Sequence, residues 1–125
     1  MLAESGVEVG ILSSRRSAIV SHRAAELGIS LVIQGESDKK SAFQRLIANK
    51  NLPSAHTGFM GDDVLDLPVM SLCGFSATVP GAPQELKTRA LITARCEGGH
   101  GAVREVCEFI MRAQGTYDTV MAKYL

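Results

Sequence analysis

The sequence has little that would indicate nucleic-acid binding, membrane insertion or a disulfide-stabilised fold. Its 13 basic residues are balanced by 13 acidic ones, so it lacks the net charge that attracts nucleic acid or an anionic membrane surface. No apolar run approaches the ~18 residues that a membrane span requires. The three cysteines, Cys73, Cys96 and Cys107, include no Cys-x-x-Cys pair. This pattern indicates reduced thiols in a cytoplasmic protein.

Zinc ligands at the usual spacing are also missing. His22 and His56 stand apart, and Cys96 and His100 share a loop without a second ligand pair, whereas structural zinc sites use paired ligands. We therefore expect surface or capping roles for the histidines. What the chain does have is 125 residues with 46% hydrophobic content. That is enough for one domain, residues 1–125, with a buried core.

Short apolar runs alternate with helical patterns about five times along the chain. This alternation predicts an α/β fold with a Rossmann-like, mostly parallel sheet and helices on both faces. Residues 1–5 resemble the last turn of a helix that Gly6 ends, and residues 116–125 form a tail that we expect to contact a neighbouring subunit. The expected apolar helix faces are Ile19, Val20, Ala24 and Leu27 in the first helix and Val103, Val106, Cys107, Ile110 and Ala113 in the last.

The most informative stretch is TGFMGDDVLDLPVM, residues 57–70. An apolar run meets Gly61, which we expect to allow a sharp turn, and Asp62, Asp63 and Asp66 follow. Ligands of open α/β sheets bind where strands give way to loops, and Mg²⁺ is commonly held there by one or two carboxylates and a phosphate. The alternative is structural, with Asp63 capping a helix and Asp66 placing favourable charge in its first turn.

Two further polar groups follow predicted strand ends. The Ser13 hydroxyl and the Ser14 amide follow the first strand, where they could bind an anion or merely cap the next helix. Lys39 and Lys40 open a helix after the second strand, against the dipole preference for acids, so either one of them neutralises an anion or both are simply solvated. By the strand-end rule these groups and the aspartates converge on one edge of the sheet, which would suit phosphoryl transfer.

The order of these groups resembles motifs two, three and four of the haloacid dehalogenase superfamily of phosphatases. More narrowly, ILSSRR, QGESDK, GDDVLDLPVM and GGHGAVREVCEFI resemble the small, capless 3-deoxy-D-manno-octulosonate 8-phosphate phosphatases of lipopolysaccharide biosynthesis. The similarity extends from near the start of the chain to about Gly115. GDDVLDLPVM together with GGHGAVREVC is specific, whereas Ser13 or Lys39 alone would be a weak signal.

The resemblance implies a role for each matching residue. Ser13, with Ser14 and Arg15, matches the phosphate-binding segment, where Ser-Ser-Arg replaces the more usual Thr-Gly-Arg. Lys39 matches the lysine that steadies the nucleophile and the phosphate. Asp62 matches the Mg²⁺ ligand, and Asp63 and Asp66 match its supporting carboxylates. The resemblance also implies homotetramers in which the tail, together with residues 98–101, reaches a neighbour's site.

One motif of the superfamily is absent from the sequence. The Asp-x-Asp motif supplies the aspartyl nucleophile and the general acid, and no Asp-x-Asp occurs in this chain. Without the nucleophile no aspartyl-phosphate can form. In the superfamily this motif lies on the central strand. We therefore expect the sequence to begin inside a longer phosphatase, to lack that strand and to be inactive alone.

Two other functions fit part of the pattern. A phosphatase-like module without activity could hold an oligomer together, as in domains fused to acylneuraminate cytidylyltransferases. It would be a stable, soluble chain that hydrolyses no phosphomonoester. A response-regulator receiver also gathers acids and a lysine around Mg²⁺, but its paired acids come early and its lysine late. The order here is the opposite, so we favour the phosphatase.

Overall fold

The computed structural model describes residues 2–124, and the chain divides into two compact units. The smaller unit is Glu8–Leu52, and the larger unit combines residues 2–7 with residues 53–124. Each contains parallel strands connected through helices, which confirms the predicted α/β class. The single domain stays a prediction, and the expectations for Met1 and Leu125 lie outside the described residues. Within residues 2–124, no helix is both long and apolar enough to cross a membrane.

The smaller unit contains a two-stranded sheet and two helices. Strand β1 (Gly10–Leu12) pairs in parallel with β2 (Leu31–Ile33), so that Ile11 lies opposite Val32. Helix α1 (Ala18–Glu26) connects the strands, and α2 (Lys39–Asn49) follows β2.

Each helix of the smaller unit begins at a polar cap. The Ser17 hydroxyl accepts from the Val20 N–H at the start of α1, and Asp38 accepts from the Ser41 N–H at the start of α2. Caps of this kind satisfy backbone donors that have no partner within the helix.

The predicted apolar face of α1 is wrong at two of its four positions. Ala24 is buried, but Ile19 is 81% exposed and Leu27 is 63% exposed. A sheet of only two short strands offers little surface to cover a nine-residue helix, so Ile19 and Leu27 stay in solvent and Val20 is only half-buried. In α2, by contrast, the apolar residues Ala42 and Phe43 are both buried.

The larger unit contains a three-stranded parallel sheet in the order β3-β4-β5. These strands are Gly58–Met60, Phe75–Thr78 and Ile92–Thr93. The helices of this unit are α3 (Leu67–Met70), α4 (Gln84–Arg89), α5 (Ala102–Gln114) and α6 (Tyr117–Met121). Single 3₁₀ turns lie at Leu2–Ser5, Ser54–His56, Val64–Asp66 and Ala122–Tyr124.

The core of the larger unit lies between its sheet and the helices α3, α4 and α5. Ala77 of β4 and Leu86 of α4 are fully buried, and Val106 of α5 packs in the same cluster. The face predicted for α5 is partly wrong, because Val103 is 64% exposed and Ala113 is also exposed. Val106 is buried as predicted, and Ala102 and Met111, which lie outside the predicted face, are buried as well, so the buried stripe is displaced around the helix from the predicted one.

The C-terminal tail folds against its own chain. Val120 is buried, and the Tyr124 hydroxyl donates to Glu4 Oε1 at 2.7 Å. Lys123 Nζ lies 3.6 Å from Glu4 Oε2. The N-terminal turn and the C-terminal turn therefore form one contact, which we call the terminal clasp (Glu4, Lys123 and Tyr124). The neighbour contact predicted for the tail stays a prediction.

Candidate active site

The acidic loop begins where β3 ends. Its first residue, Gly61, is hydrogen-bonded to β4 through both its N–H and its carbonyl. The Gly61 N–H donates to the Ala77 carbonyl at 3.1 Å, which extends the pairing of β3 with β4. The Gly61 carbonyl accepts from the buried Thr78 hydroxyl at 2.7 Å. Because both backbone groups of Gly61 are hydrogen-bonded to β4, the position of the following aspartates is fixed at the carboxyl end of the sheet.

Asp66 shapes this loop from inside. Its side chain is only 3% exposed, and its Oδ2 accepts from the N–H groups of Asp62 and Asp63 at 3.1 and 3.2 Å. Asp63 accepts from the Leu65 N–H at 3.2 Å and completes a capping box with Asp66. The structural alternative is therefore confirmed: Asp63 caps the Val64–Asp66 turn, and Asp66 lies in its first turn. Supporting roles toward a metal stay predictions.

Gly61 is required here by space rather than by backbone conformation. It does not have a positive φ, so the expected sharp turn is not what demands glycine. An added Cβ would lie 2.5 Å from Asp66 Cβ and 2.7 Å from Asp66 Oδ2. The close approach of Asp66 therefore excludes any side chain at this position.

Asp62 is the acid of the loop whose carboxylate remains available. Its side chain is exposed, while its backbone N–H is committed to Asp66. Within residues 2–124, no three His, Cys, Asp or Glu side chains are arranged as a ready metal cage. One accessible carboxylate nevertheless fits Mg²⁺, which usually keeps several waters and takes one or two protein carboxylates plus phosphate oxygens.

In the smaller unit, Ser13 lies directly after β1. Its N–H donates to the Ile33 carbonyl at 2.8 Å, and its hydroxyl accepts from the Arg15 N–H at 3.1 Å. The hydroxyl can therefore still donate its own proton to an anion. The suggestion that Ser13 or Ser14 caps α1 is wrong, because Ser17 occupies that position.

Hydrogen bonds join the loops that follow β1 and β2. The Glu36 N–H donates to the Ser13 carbonyl at 3.2 Å, and the Gly35 N–H donates to the Arg15 carbonyl at 3.1 Å. Lys39 is the first residue of α2 and is half-buried, whereas Lys40 is exposed. The predicted phosphate-binding segment and the loop leading to Lys39 therefore lie at the same edge of this sheet.

Two glutamates that the sequence reasoning missed organise the loops after β4 and β5. Glu97 Oε1 accepts from the Gly81 N–H at 2.9 Å. Glu105 accepts from the Arg95 N–H at 2.8 and 3.0 Å and from the Cys96 N–H at 2.9 Å. These backbone donors lower the pKa of the Glu105 carboxyl. The available signal was an acid in the first turn of α5, where the helix dipole favours one.

In each unit, the predicted site residues of that unit lie at the carboxyl ends of its strands. Ser13, Ser14 and Arg15 neighbour the loop before Lys39 in the smaller unit, and Asp62 and Asp63 follow β3 in the larger unit. The predicted convergence of these two sets on one phosphoryl group stays a prediction.

Comparison with known proteins gives consistent matches over most of the chain. A model of the haloacid dehalogenase-like hydrolases matches residues 12–105. The chain is 40% identical over 114 residues to 3-deoxy-D-manno-octulosonate 8-phosphate phosphatase of Escherichia coli (strain K12), and 40% identical over 113 residues to that of Yersinia pestis. The alignments cover 91% and 90% of this chain but 61% and 60% of those relatives. The chain therefore spans about three fifths of the length of the curated relatives it matches.

Solved structures with similar sequences have the same fold. The phosphatase of this name from Moraxella catarrhalis, crystallised with magnesium, phosphate and KDO, superposes with a TM-score of 0.95 at 38% identity. That match covers 99% of this chain and 71% of the other. The cobalt-bound Haemophilus influenzae protein gives a TM-score of 0.88 at 36% identity, with coverage of 94% and 68%.

Proposed function

Since the chain belongs to the haloacid dehalogenase-like hydrolases, we propose that the protein is a Mg²⁺-dependent phosphatase of a sugar-acid phosphomonoester. The proposed substrate is 3-deoxy-D-manno-octulosonate 8-phosphate, which would give the free sugar acid and phosphate in lipopolysaccharide biosynthesis. The names and bound ligands of the relatives support this choice. The observation that carries the proposal is the exposed Asp62 carboxylate on a loop whose backbone is held by Asp66.

The proposed roles differ between the two sheets: residues of the larger unit would bind the metal, and residues of the smaller unit would bind the phosphoryl group. In the larger unit, Asp62 would hold the metal, and Asp66 keeps the loop in the conformation that presents Asp62. A Mg²⁺ ion held there neutralises charge on the phosphoryl oxygens. Asp63 stabilises the loop through its cap.

The smaller unit would bind the phosphoryl group itself. The Ser13 hydroxyl and the Ser14 N–H donate to phosphoryl oxygens, and the Arg15 guanidinium is suited to paired hydrogen bonds with an anion. The Lys39 ammonium would stabilise the negative charge on the oxygens of the transferred phosphoryl group. These roles follow from residue chemistry and from the family motifs.

The nucleophile is the remaining requirement. The family uses an Asp-x-Asp motif, and the sequence contains none. We propose that the chain alone binds phosphate and metal without turnover, and that an Asp-x-Asp strand encoded upstream supplies the attacking carboxylate and the general acid.

We also propose a cytoplasmic location and a homotetrameric assembly. The three cysteines are free thiols, which suits a reducing compartment. The assembly follows from the resemblance to the capless phosphatases. Sedimentation or light scattering of the purified protein would test the assembly directly, and a monomer at micromolar concentration would contradict it.

The deciding experiment compares two forms of the protein with Mg²⁺ and 3-deoxy-D-manno-octulosonate 8-phosphate. One is the 125-residue chain, and the other is extended upstream through its own reading frame. We expect phosphate release only from the extended form, and loss of release with chelator or with Asp62→Asn. A stable extended form without turnover would favour the alternative, a phosphatase-like module that holds an oligomer together.

A further inference from the structure

The loop after β5 is fixed at the same sheet edge as the acidic loop. Strands β3, β4 and β5 are parallel neighbours in that order, so the loops that follow them share one edge. Glu97 connects the β5 loop to Gly81 after β4. Glu105 holds the N–H groups of Arg95 and Cys96. Such bonds to a carboxylate are about twice as strong as neutral ones, so this loop has a defined backbone position.

Arg95 is a cation at this edge of the larger unit, and its charge attracts the Glu105 carboxylate without a direct ion pair. Its residue is exposed, and it makes no ion pair within 4.0 Å in the described part of the unit. The other cations are engaged or lie elsewhere. Lys87 Nζ donates to the Pro80 carbonyl, and Arg112 stacks on Tyr117. Arg104 forms an ion pair with Glu108, and Lys123 forms one with Glu4. Arg89 lies at the end of α4, before the amino end of β5.

We propose that Arg95 binds the carboxylate of the sugar-acid substrate and that Glu105 is the positioning residue that holds it there. The proposal rests on the proposed function, because it takes the substrate to be a phosphomonoester with a carboxylate at the other end of its carbon chain. A guanidinium presents paired N–H donors that match a carboxylate in one plane. It therefore distinguishes a sugar acid from a neutral sugar phosphate.

The span across the sheet agrees with this assignment. Two strand spacings separate the β5 loop from the β3 loop that carries Asp62, which is roughly 10 Å. The two anionic ends of such a sugar-acid phosphate are separated by a distance on the order of 8 Å, from the lengths of its covalent bonds. A substrate with its phosphate at the Asp62 end therefore brings its carboxylate within reach of the long Arg95 side chain.

The test uses the upstream-extended protein, with Arg95→Met as the variant and Arg89→Met as the matched control. Both arginines are exposed in the same unit, but Arg89 lies toward the opposite sheet edge. We expect Arg95→Met to raise KM for the sugar-acid phosphate by about 10- to 100-fold, as the loss of a charged hydrogen-bonded pair implies. The kcat should stay within about twofold, because the lost contact lies away from the reacting atoms.

A substrate without a carboxylate separates recognition from chemistry. With p-nitrophenyl phosphate we expect both methionine variants to keep wild-type kcat/KM within about twofold. Arg95→Lys should recover part of the KM, because it restores the charge without the planar fork. An equal loss on both substrates, or an unchanged KM for the sugar-acid phosphate, would overturn the assignment of Arg95.

Glu105→Gln tests positioning. The amide removes the charge that strengthens the bonds to Arg95 and Cys96. We expect a severalfold higher KM for the sugar-acid phosphate and an unchanged value for p-nitrophenyl phosphate. A kcat loss on both substrates would assign Glu105 a merely structural role and contradict its part in the proposal.

A binding measurement tests the Arg95 carboxylate site independently of phosphatase activity. The free sugar acid, which carries the carboxylate but no phosphate, is titrated calorimetrically into the wild type, Arg95→Met and Arg89→Met. We expect at least tenfold weaker binding to Arg95→Met alone. Equal binding to all three proteins, or no binding to the wild type, would overturn the inference. Binding lost only in Arg95→Met, without turnover by the wild type, would support the carboxylate site and count against the proposed phosphatase function.

Discussion

Replacement of Gly61 by alanine should destabilise the larger unit much more than the same replacement at Gly98, a glycine of that unit with open space around it. The new Cβ would lie 2.5 Å from Asp66 Cβ, where ordinary contacts begin at 3.4 Å. Asp66 must therefore retreat by about 0.9 Å, the difference between these two distances. Its hydrogen bonds to the Asp62 and Asp63 N–H groups are already 3.1 and 3.2 Å long, so such a movement would break both.

The magnitude follows from those two bonds. Each hydrogen bond to a charged group contributes about 1.5–3 kcal/mol, and water can replace part of it because Asp62 and Asp63 are exposed. Alanine also restricts the unfolded chain, which offsets about 0.4–1 kcal/mol. We expect the free energy of unfolding to fall by about 2–4 kcal/mol, measured by urea denaturation followed by circular dichroism.

Gly98→Ala is the matched control. Its added Cβ would meet only Val79 Cγ1, at 3.9 Å, so we expect a change within about 0.5 kcal/mol. Combining Gly61→Ala with Asp66→Gly removes the atoms that collide, and the double-mutant cycle should show a coupling of about 2 kcal/mol. The explanation is refuted if Gly61→Ala costs no more than Gly98→Ala, or if its cost is unchanged in the Asp66→Gly background.

Three further predictions concern single contacts in the larger unit. Thr78→Val leaves the Gly61 carbonyl without its hydroxyl donor and should cost about 1–3 kcal/mol in urea unfolding; Thr78→Ser, which keeps the hydroxyl, should cost less. The Glu105 pKa is lowered in the folded state, so its stabilising contribution is present above the ordinary carboxyl pKa and is lost as the pH falls through the lowered value. Thermal unfolding between pH 6 and pH 3 should therefore decline more steeply for the wild type than for Glu105→Gln, and parallel curves would contradict this. The Glu4 bond raises the pKa of Tyr124, so its stabilising contribution is lost as the pH rises through the raised value. In Glu4→Gln the ultraviolet titration of Tyr124, assigned with Tyr124→Phe, should shift to lower pH, and an unchanged midpoint would exclude the terminal clasp in solution.

The sequence predicted the kind and order of the main elements because the signals for them are local. An apolar run before Gly61 marks β3, and the apolar spacing from Val103 to Ala113 marks α5, and the structure has a strand and a helix there. The burial of α1 was mispredicted because the exposure of Ile19 depends on the width of the sheet beneath it. A helical pattern alone does not report that width.

The candidate site was predictable where the chemistry lies in one short motif. Asp62, Asp63 and Asp66 lie within five positions of the sequence, and their loop follows β3 as expected. The bonds from Thr78 to Gly61 and from Glu97 to Gly81 join residues 17 and 16 positions apart, and no local pattern connects them. The requirement for glycine at position 61 was expected for the wrong reason, because the close approach of Asp66 leaves no signal in the sequence.

The terminal clasp has a practical consequence for protein engineering. Glu4 and Tyr124 are within hydrogen-bonding distance although they stand 120 positions apart. Domains whose ends lie close together often tolerate circular permutation. A short glycine-rich linker from Tyr124 to Glu4, with new ends opened at the exposed Gly98-Gly99 turn, should therefore keep the packing of the larger unit.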